Sequence, residues 1–436
     1  MRKKIGLNNT LFTPNVMYRD NGLFVGFLYN MQYIRVSAPK GYSTERVSEL
    51  LEKYKKEAEE YNAAIDDSKE LPNIVVVINE TFSDLSVLGD FKTNVDYMPF
   101  VRSMSENTVK GYMYASIVGG NTPNSEFEFL SGCSLAFLPM GSVPFQQYIT
   151  GALPSLVENV EKEGYSTYAM HPYGASGWDR DEVYPWLGFD SIEFQDKFRG
   201  AERIRDYVTD EALYERVIKY LNQKSPEEKL FCYVMTMQNH GGYYKDFDNF
   251  KVDVVIDGST KKSTRRYLSL IKISDGQFKD LITYFENSFD EPVVVMMFGD
   301  HQPNNDIVEP VQTLNGLDAS DLSLEDAQNR YKVPFVIWAN YDIEEADYSS
   351  GISLNYLSNL LCSTAGLKIT PYQAFLKDLY KEVPIVTANV VIDNKGDYYP
   401  VADNPYNDVL NDYACIQYNY LFDTKNRIDE FFLIPE

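Results

Sequence analysis

Several stretches of the chain are apolar almost without interruption. They are Asn73–Ile78, Ser166–Met170, Phe231–Met237, Pro292–Asp300 and Val333–Trp338. Runs of this kind suit strands buried on both faces of a parallel sheet. Between them the apolar positions recur with helical spacing. In Ser43–Ile65, Val47, Leu50, Leu51 and Tyr54 fall at i, i+3, i+4 and i+7. Leu153–Glu163 reads as a helix with Pro154 near its first turn, Asp210–Asn222 carries Leu213, Val217, Tyr220 and Leu221 on one face, and Arg266–Phe285 makes a third. Strands alternating with helices predict an α/β fold: a doubly wound, mostly parallel sheet flanked by helices.

Residues 1–42 read as an extended or irregular lead-in, joined through the helix after Ser43 to a break at Leu71-Pro72. A change of character near Pro384 marks a tail. Ile385–Ile392, the turn Asp393-Asn-Lys-Gly396 and Asp397-Tyr-Tyr399 form a hairpin pattern, and Asp408–Phe422 a closing helix. The expected organisation is a lead-in and linker helix over 1–71, a main domain over 72–383 and a small α+β subdomain over 384–436. No stretch is long enough to span a bilayer; Leu23–Ile34 is short and interrupted by Asn30 and Gln32. Met1-Arg-Lys-Lys4 is basic, but no signal-peptide apolar region follows. The chain is expected to be soluble as written, or to be the water-facing part of a membrane protein.

Composition narrows the function. With 436 residues, 44% hydrophobic and 24% charged, the chain has ample material for a large core. A net charge of −24 argues against a nucleic-acid surface. It also repels an anionic bilayer unless an anchor or a local cationic site overrides the mean. Cys133, Cys232, Cys362 and Cys415 are far apart and read as buried thiols, which do not reveal the compartment.

All three histidines follow apolar runs: His171, His240 and His301. Ligands of open α/β sheets bind beyond the carboxyl ends of the strands, so the three point to one shared site. Asn79-Glu80 ends the first run and Asp300-His301 ends another. Two carboxylates and one imidazole at neighbouring strand ends suit Mg²⁺ or Mn²⁺ better than structural zinc. In Gly119-Gly-Asn-Thr122-Pro-Asn-Ser-Glu-Phe127, Pro123 favours a helix start with Thr122 at or near the N-cap. Capping alone would explain that hydroxyl. Alternatively it faces free N–H groups at a positive helix end, where a phosphate would bind. In His171–Arg180, Trp178 offers an apolar wall and Arg180 a fork for phosphate. Gln238-Asn-His240-Gly-Gly242 sets another imidazole in a softened turn.

Taken in chain order, Asn79-Glu80, then Gly-Asn-Thr122-Pro-Asn-Ser-Glu-Phe, then His171 with Trp178 and Arg180, then Gln-Asn-His240, then Gly-Asp300-His301-Gln-Pro, the motifs resemble the lipoteichoic-acid synthase family of phosphoglycerol transferases, within the alkaline phosphatase and sulfatase superfamily. The likeness runs from Asn73 to about Leu376. It implies a sulfatase-like fold with a divalent cation, Mn²⁺ or Mg²⁺, held by Glu80, Thr122, Asp300 and His301. Thr122 is then also the nucleophile, and His171, Trp178, Arg180 and His240 match the pocket for the phosphoglycerol head. The implied chemistry is a two-step transfer of glycerophosphate from phosphatidylglycerol to a glycerol or sugar hydroxyl of the envelope. Arg180 would stabilise charge, and His240 or His171 would relay protons. Family members carry transmembrane helices ahead of this part, which implies an extracytoplasmic domain on the outer face of the membrane, separated from its anchor and expected to be a monomer. No Cys-x-Pro-x-Arg setting is present, as formylglycine sulfatases need, and there are too few histidines for a two-zinc alkaline phosphatase. A phosphodiesterase, a phosphoethanolamine transferase and a non-catalytic headgroup-binding domain remain as alternatives.

Overall fold

A computed structural model describes residues 19, 21–34, 36–66, 68–317 and 322–435. In chain order the strands are β1 (Asn73–Asn79), β2 (Thr108–Tyr114), β3 (Tyr165–Met170), β4 (Ser191–Glu193), β5 (Arg203–Ile204), β6 (Tyr207–Val208), β7 (Lys229–Met235), β8 (Val293–Gly299), β9 (Lys332–Ala339) and β10 (Ala346–Ser353). Eight of them form one sheet in the order β10-β2-β9-β8-β1-β7-β3-β4, while β5 and β6 make a separate ribbon. Every pairing in the large sheet is parallel except those of β9, which runs against both neighbours.

The apolar runs are unbroken because both faces of the sheet are covered. On β1, Ile74, Val76 and Ile78 enter one core and Val75 and Val77 the other. On β8, Val294, Met296 and Phe298 face the first core, and Val293, Val295 and Met297 the second. Helix Thr44–Ala63 covers the first face through Val47, Leu51, Tyr54 and Ala58. Helices Asp210–Gln223 and Lys262–Ser288 cover the second. The tail strands β11 (Ile385–Val386), β12 (Val391–Ile392) and β13 (Tyr398–Tyr399) pair antiparallel, and helix Asn407–Leu421 follows. Val386, Val391, Leu410 and Tyr413 share the first core.

Four details differ from the sequence reading. The run Ile385–Ile392 is not one arm of a hairpin: β11 and β12 within it pair antiparallel across a turn in which Thr387 N–H donates to Val390 O at 3.0 Å. Within the lead-in, Leu23–Ile34 is a helix rather than irregular chain. A tertiary contact tethers it: the buried Tyr33 donates its hydroxyl hydrogen to Met140 O at 3.3 Å. The helix expected from Leu153 starts only at Leu156, because Ser155 Oγ accepts the Val157 N–H at 3.0 Å and leaves Pro154 outside. Strands β2, β4 and β10 carry no continuous apolar run and fall outside the strands that the pattern predicts.

Helix Pro123–Ser131 lies in the first core and carries Glu128, whose Oε1 accepts from Ser116 Oγ at 2.7 Å and Leu135 N at 2.9 Å. Burial pushes this carboxyl up to about 7. The folded chain therefore holds a proton that the unfolded chain, titrating near 4.5, releases. The stabilising contribution is full below pH ~4.5 and lost as pH rises through ~7, about 3 kcal/mol in all. Glu128→Gln keeps an acceptor oxygen without the charge, so it should melt above the parent protein at pH 8 and lose that advantage at pH 5. Thermal melts at the two pH values check this.

Candidate active site

The β1–β8 register pairs Asn79 with Gly299, so the next residues, Glu80 and Asp300, leave the sheet side by side. Gly299 is required there. A Cβ on it would lie 1.8 Å from Phe82 O, so only glycine lets the chain pass under the turn after β1. In that turn Thr81 adopts a positive φ of 53°, and its N–H donates to Asp300 Oδ1 at 2.6 Å. Asp300 Oδ1 also accepts the His301 N–H at 2.9 Å. Both bonds fix the carboxylate.

Thr122 reaches the same carboxylate from the other side. Its Oγ1 donates to Asp300 Oδ2 at 2.8 Å, and Ser125 Oγ donates to Asp300 O at 2.7 Å, tying helix Pro123–Ser131 to the end of β8. Thr122 is the N-cap residue and Pro123 the first helical position, yet the hydroxyl caps nothing. Helical dihedrals at Thr122 (φ −41°, ψ −40°) turn it away from the first-turn N–H groups. Those groups are not free for an anion either: Asn124 N–H goes to Asn121 O, and Ser125 and Glu126 N–H go to Thr122 O. The expected phosphate cradle of bare N–H groups is therefore absent, and the hydroxyl is kept for Asp300.

His301 Nδ1 lies 2.9 Å from Gln302 O, which can only accept, so Nδ1 carries a hydrogen and in the neutral imidazole Nε2 is a bare lone pair. That Nε2 is buried without a hydrogen-bond partner, 3.2 Å from Asp300 Oδ2. Two acceptors facing each other in a buried site call for a cation between them. Donor atoms of Glu80, Asp300 and His301 all lie within 4.8 Å of one another. Burial first, and Asp300 second, hold the Glu80 carboxyl well above its ordinary range. The oxygen-rich set with one imidazole fits a divalent cation.

A cavity of about 350 Å³ opens over this cluster, walled by Glu80, Thr122, Trp178, His240, Tyr243 and His301 among others. Trp178 is held at φ 61° and Asp179 at φ 59°, a left-handed pair that turns the indole into the wall. His240 stands at the mouth with Nδ1 3.0 Å from the Tyr207 hydroxyl. Its pKa falls to about 4, chiefly through the protein packed around the ring, with Asp300 pulling the other way. A larger cleft of about 1290 Å³ lies at the opposite end of the strands, near Pro72 and Tyr341, but gathers no ligand set among the described residues. Volume alone does not locate the site.

His171 and Arg180 lie behind that wall rather than in it. His171 is buried with Nδ1 3.1 Å from Met235 O, and burial, then Arg180, press its pKa well below 6.5. Arg180 is committed to Glu126: Nε and Nη2 donate to Glu126 Oε1 at 3.0 and 2.5 Å, and Nη1 donates to Gly177 O at 3.2 Å. Glu126 Oε2 accepts from the Tyr184 hydroxyl at 2.5 Å. The Arg180 fork therefore braces the Trp178 turn from behind. Arg180→Ala leaves buried Glu126 without its cation, and a loss of about 3–5 kcal/mol in urea unfolding is expected.

Sequence reasoning missed Arg205. It sits at φ 55° between β5 and β6, and its guanidinium donates to Gln238 O and His240 O, both at 2.7 Å, and to Gly241 O at 3.3 Å. It thus shapes the loop bearing His240, and no motif in the chain marks it.

A family model described as sulfatase matches residues 72–367. A putative cyclic beta-1,2-glucan modification protein of Rhizobium meliloti is 27% identical over 425 residues, covering 95% of this chain and 64% of the relative. The chain thus spans less than two thirds of that relative's length. Among solved structures, the Streptococcus pyogenes phosphoglycerol transferase GacH, in complex with sn-glycerol-1-phosphate, matches with a TM-score of 0.76 at 22% identity, over 92% of this chain and 100% of that one. The lipoteichoic acid synthase LtaP of Listeria monocytogenes matches with a TM-score of 0.59 at 17% identity, over 83% and 95%. At such identities the likeness is one of fold.

Proposed function

The chain belongs to the sulfatase family, and on that premise we propose that it is a metal-dependent phosphoglycerol transferase acting at the outer face of a bacterial membrane. The donor is phosphatidylglycerol, and the acceptor is a hydroxyl of an envelope glycan or polyglycerolphosphate. One observation carries this reading: an uncapped threonine hydroxyl and an orphaned imidazole nitrogen meet on one aspartate oxygen. No helix among the described residues is long and apolar enough to cross a membrane.

Glu80, Asp300, His301 and the Thr122 hydroxyl would hold one divalent cation, Mn²⁺ or Mg²⁺. Bound there, it supplies acidity to the hydroxyl and charge compensation to the phosphoryl oxygens. In the first step Thr122 Oγ1 bonds to phosphorus while the bond to the diacylglycerol oxygen breaks; the hydroxyl's proton ends on that leaving oxygen, and glycerophospho-threonine remains. In the second step an acceptor hydroxyl bonds to phosphorus as the bond from phosphorus to Thr122 Oγ1 breaks, and the acceptor's proton ends on Thr122. His240 is the cavity-wall imidazole outside the cation-binding set, so we assign it, not His171, to relay the acceptor's proton; by reversibility the same ring relays the Thr122 proton to the leaving oxygen. Trp178 flanks the glycerol head, and Arg180 positions Trp178.

Intact-protein mass spectrometry after incubation with phosphatidylglycerol and Mn²⁺ tests the reading. A glycerophosphate adduct mapped to Thr122, discharged by a glycerol-bearing acceptor, is expected. Free glycerophosphate as the sole product would make the domain a phosphodiesterase, and an unmodified protein without turnover would end the proposal.

A further inference from the structure

We propose that helix Leu23–Ile34 and the loop tip at Met140 form a lipid-docking surface that seats the mouth of the cavity on an anionic bilayer; this rests on the reading that the donor is a membrane lipid. Phe24, Leu28 and Met31 share one side of the helix and are 73%, 49% and 49% exposed. Gly26 and Tyr33, on the opposite side, are buried. The open stripe is therefore not the side that holds the helix to the protein. Met140, 93% exposed, is an apolar side chain at the tip of the loop that Tyr33 holds from the other side of the helix, a second apolar point rather than an extension of the stripe. Apolar side chains held in water along one side of a helix mark an interaction surface.

Charge selects the occupant. The helix itself has no charged residue, while residues 1–42 hold six Lys or Arg and a single Asp, a net +5 in a chain of net −24. An anionic lipid surface attracts that segment and repels the rest, so it also orients the protein. A second copy of the chain would set two positive segments against each other. An uncharged apolar helix flanked by basic residues suits the boundary between headgroups and acyl chains.

The surface also lies where docking would serve the reaction. From Met140 the chain runs into helix Pro144–Gln147, which packs on helix Pro123–Ser131 and on the Gly177–Asp179 turn. Asn124 Nδ2 donates to Ser142 O at 2.9 Å, closing the link. Thr122 and Trp178 thus stand on elements adjoining the docking loop. A lipid phosphate at headgroup depth would meet Thr122 while its acyl chains stay in the bilayer.

Co-sedimentation of the full chain with phosphatidylglycerol/phosphatidylcholine vesicles, and with phosphatidylcholine alone, tests this. Binding to the anionic vesicles, weakened by salt, is expected. Phe24→Ser/Leu28→Ser/Met31→Ser should lower vesicle affinity about tenfold or more and lower turnover of vesicle-borne lipid in parallel. Its melting midpoint and its turnover of a short water-soluble glycerophosphodiester should match the parent, since none of the three residues lines the cavity. Phe24→Trp reports contact directly through a blue shift of the indole emission on vesicles. The surface is refuted if the parent ignores anionic vesicles, if the triple variant binds them equally well, or if the emission of the Phe24→Trp variant does not move. It is refuted too if the triple variant only splits a dimer. Failure of the donor reading looks different: vesicles bind, and neither lipid nor soluble diester is consumed.

Discussion

Thr122→Ala should abolish turnover of phosphatidylglycerol, lowering kcat by about 10⁴-fold or more, with the protein still folded. The two halves of that expectation come from the same geometry. The hydroxyl makes one hydrogen bond, to Asp300 Oδ2, and caps no helix. Its loss therefore costs about 1 kcal/mol, the worth of a single bond. What disappears is the atom that would carry the phosphoryl group, which no neighbour can replace: Ser125, the nearest hydroxyl in the motif, spends its hydrogen on Asp300 O. Thr122→Ser should recover part of the rate and the adduct, because it restores the oxygen while losing the methyl that limits its rotamers. Steady-state assays beside intact-mass measurement read both. Undiminished turnover in the alanine variant would remove Thr122 from the mechanism.

The site was legible wherever strand ends were legible. β1 and β8 are apolar at nearly every position because both faces are covered, so their ends could be read, and Glu80, Asp300 and His301 with them. β10 is different. Ala346–Ser350 is mostly exposed at the sheet edge, where polar residues are tolerated and no pattern is imposed. β2 includes Lys110 and Gly111, and its strand character comes from pairing with β9 and β10 rather than from its own composition. The helix at Leu23–Ile34 is held by Tyr33 reaching Met140, 107 positions away, which local periodicity does not encode. Partner choice was equally hidden. Arg180 could have faced phosphate or any acid, and Glu126, 54 positions earlier, is the one the fold delivers. Arg205 acts through backbone carbonyls, which every residue has, so its partners leave no trace in side-chain identity.

The second large effect is the response to the cation, and Asp300→Asn isolates it. In the metal-free protein two buried carboxylates adjoin, Glu80 is held toward its neutral form, and His301 Nε2 has no donor. An asparagine in place of Asp300 can keep the two N–H bonds from Thr81 and His301 on its oxygen. Its amide nitrogen then replaces the oxygen that lies 3.2 Å from Nε2 and supplies the missing donor. Removing the carboxylate thus relieves repulsion and satisfies an orphan, so the variant should melt at or above the parent in chelator. The same change removes a charged ligand and puts an N–H where a cation would sit. For the parent protein, Mn²⁺ at about 100 times its dissociation constant adds about 2.7 kcal/mol, a rise of a few degrees in the midpoint. Asp300→Asn should show no such rise and no turnover. Melts of both proteins in chelator and across a Mn²⁺ titration decide it: a variant that still shifts like the parent would place the ion elsewhere, and a parent that never shifts would leave the facing lone pairs without their cation.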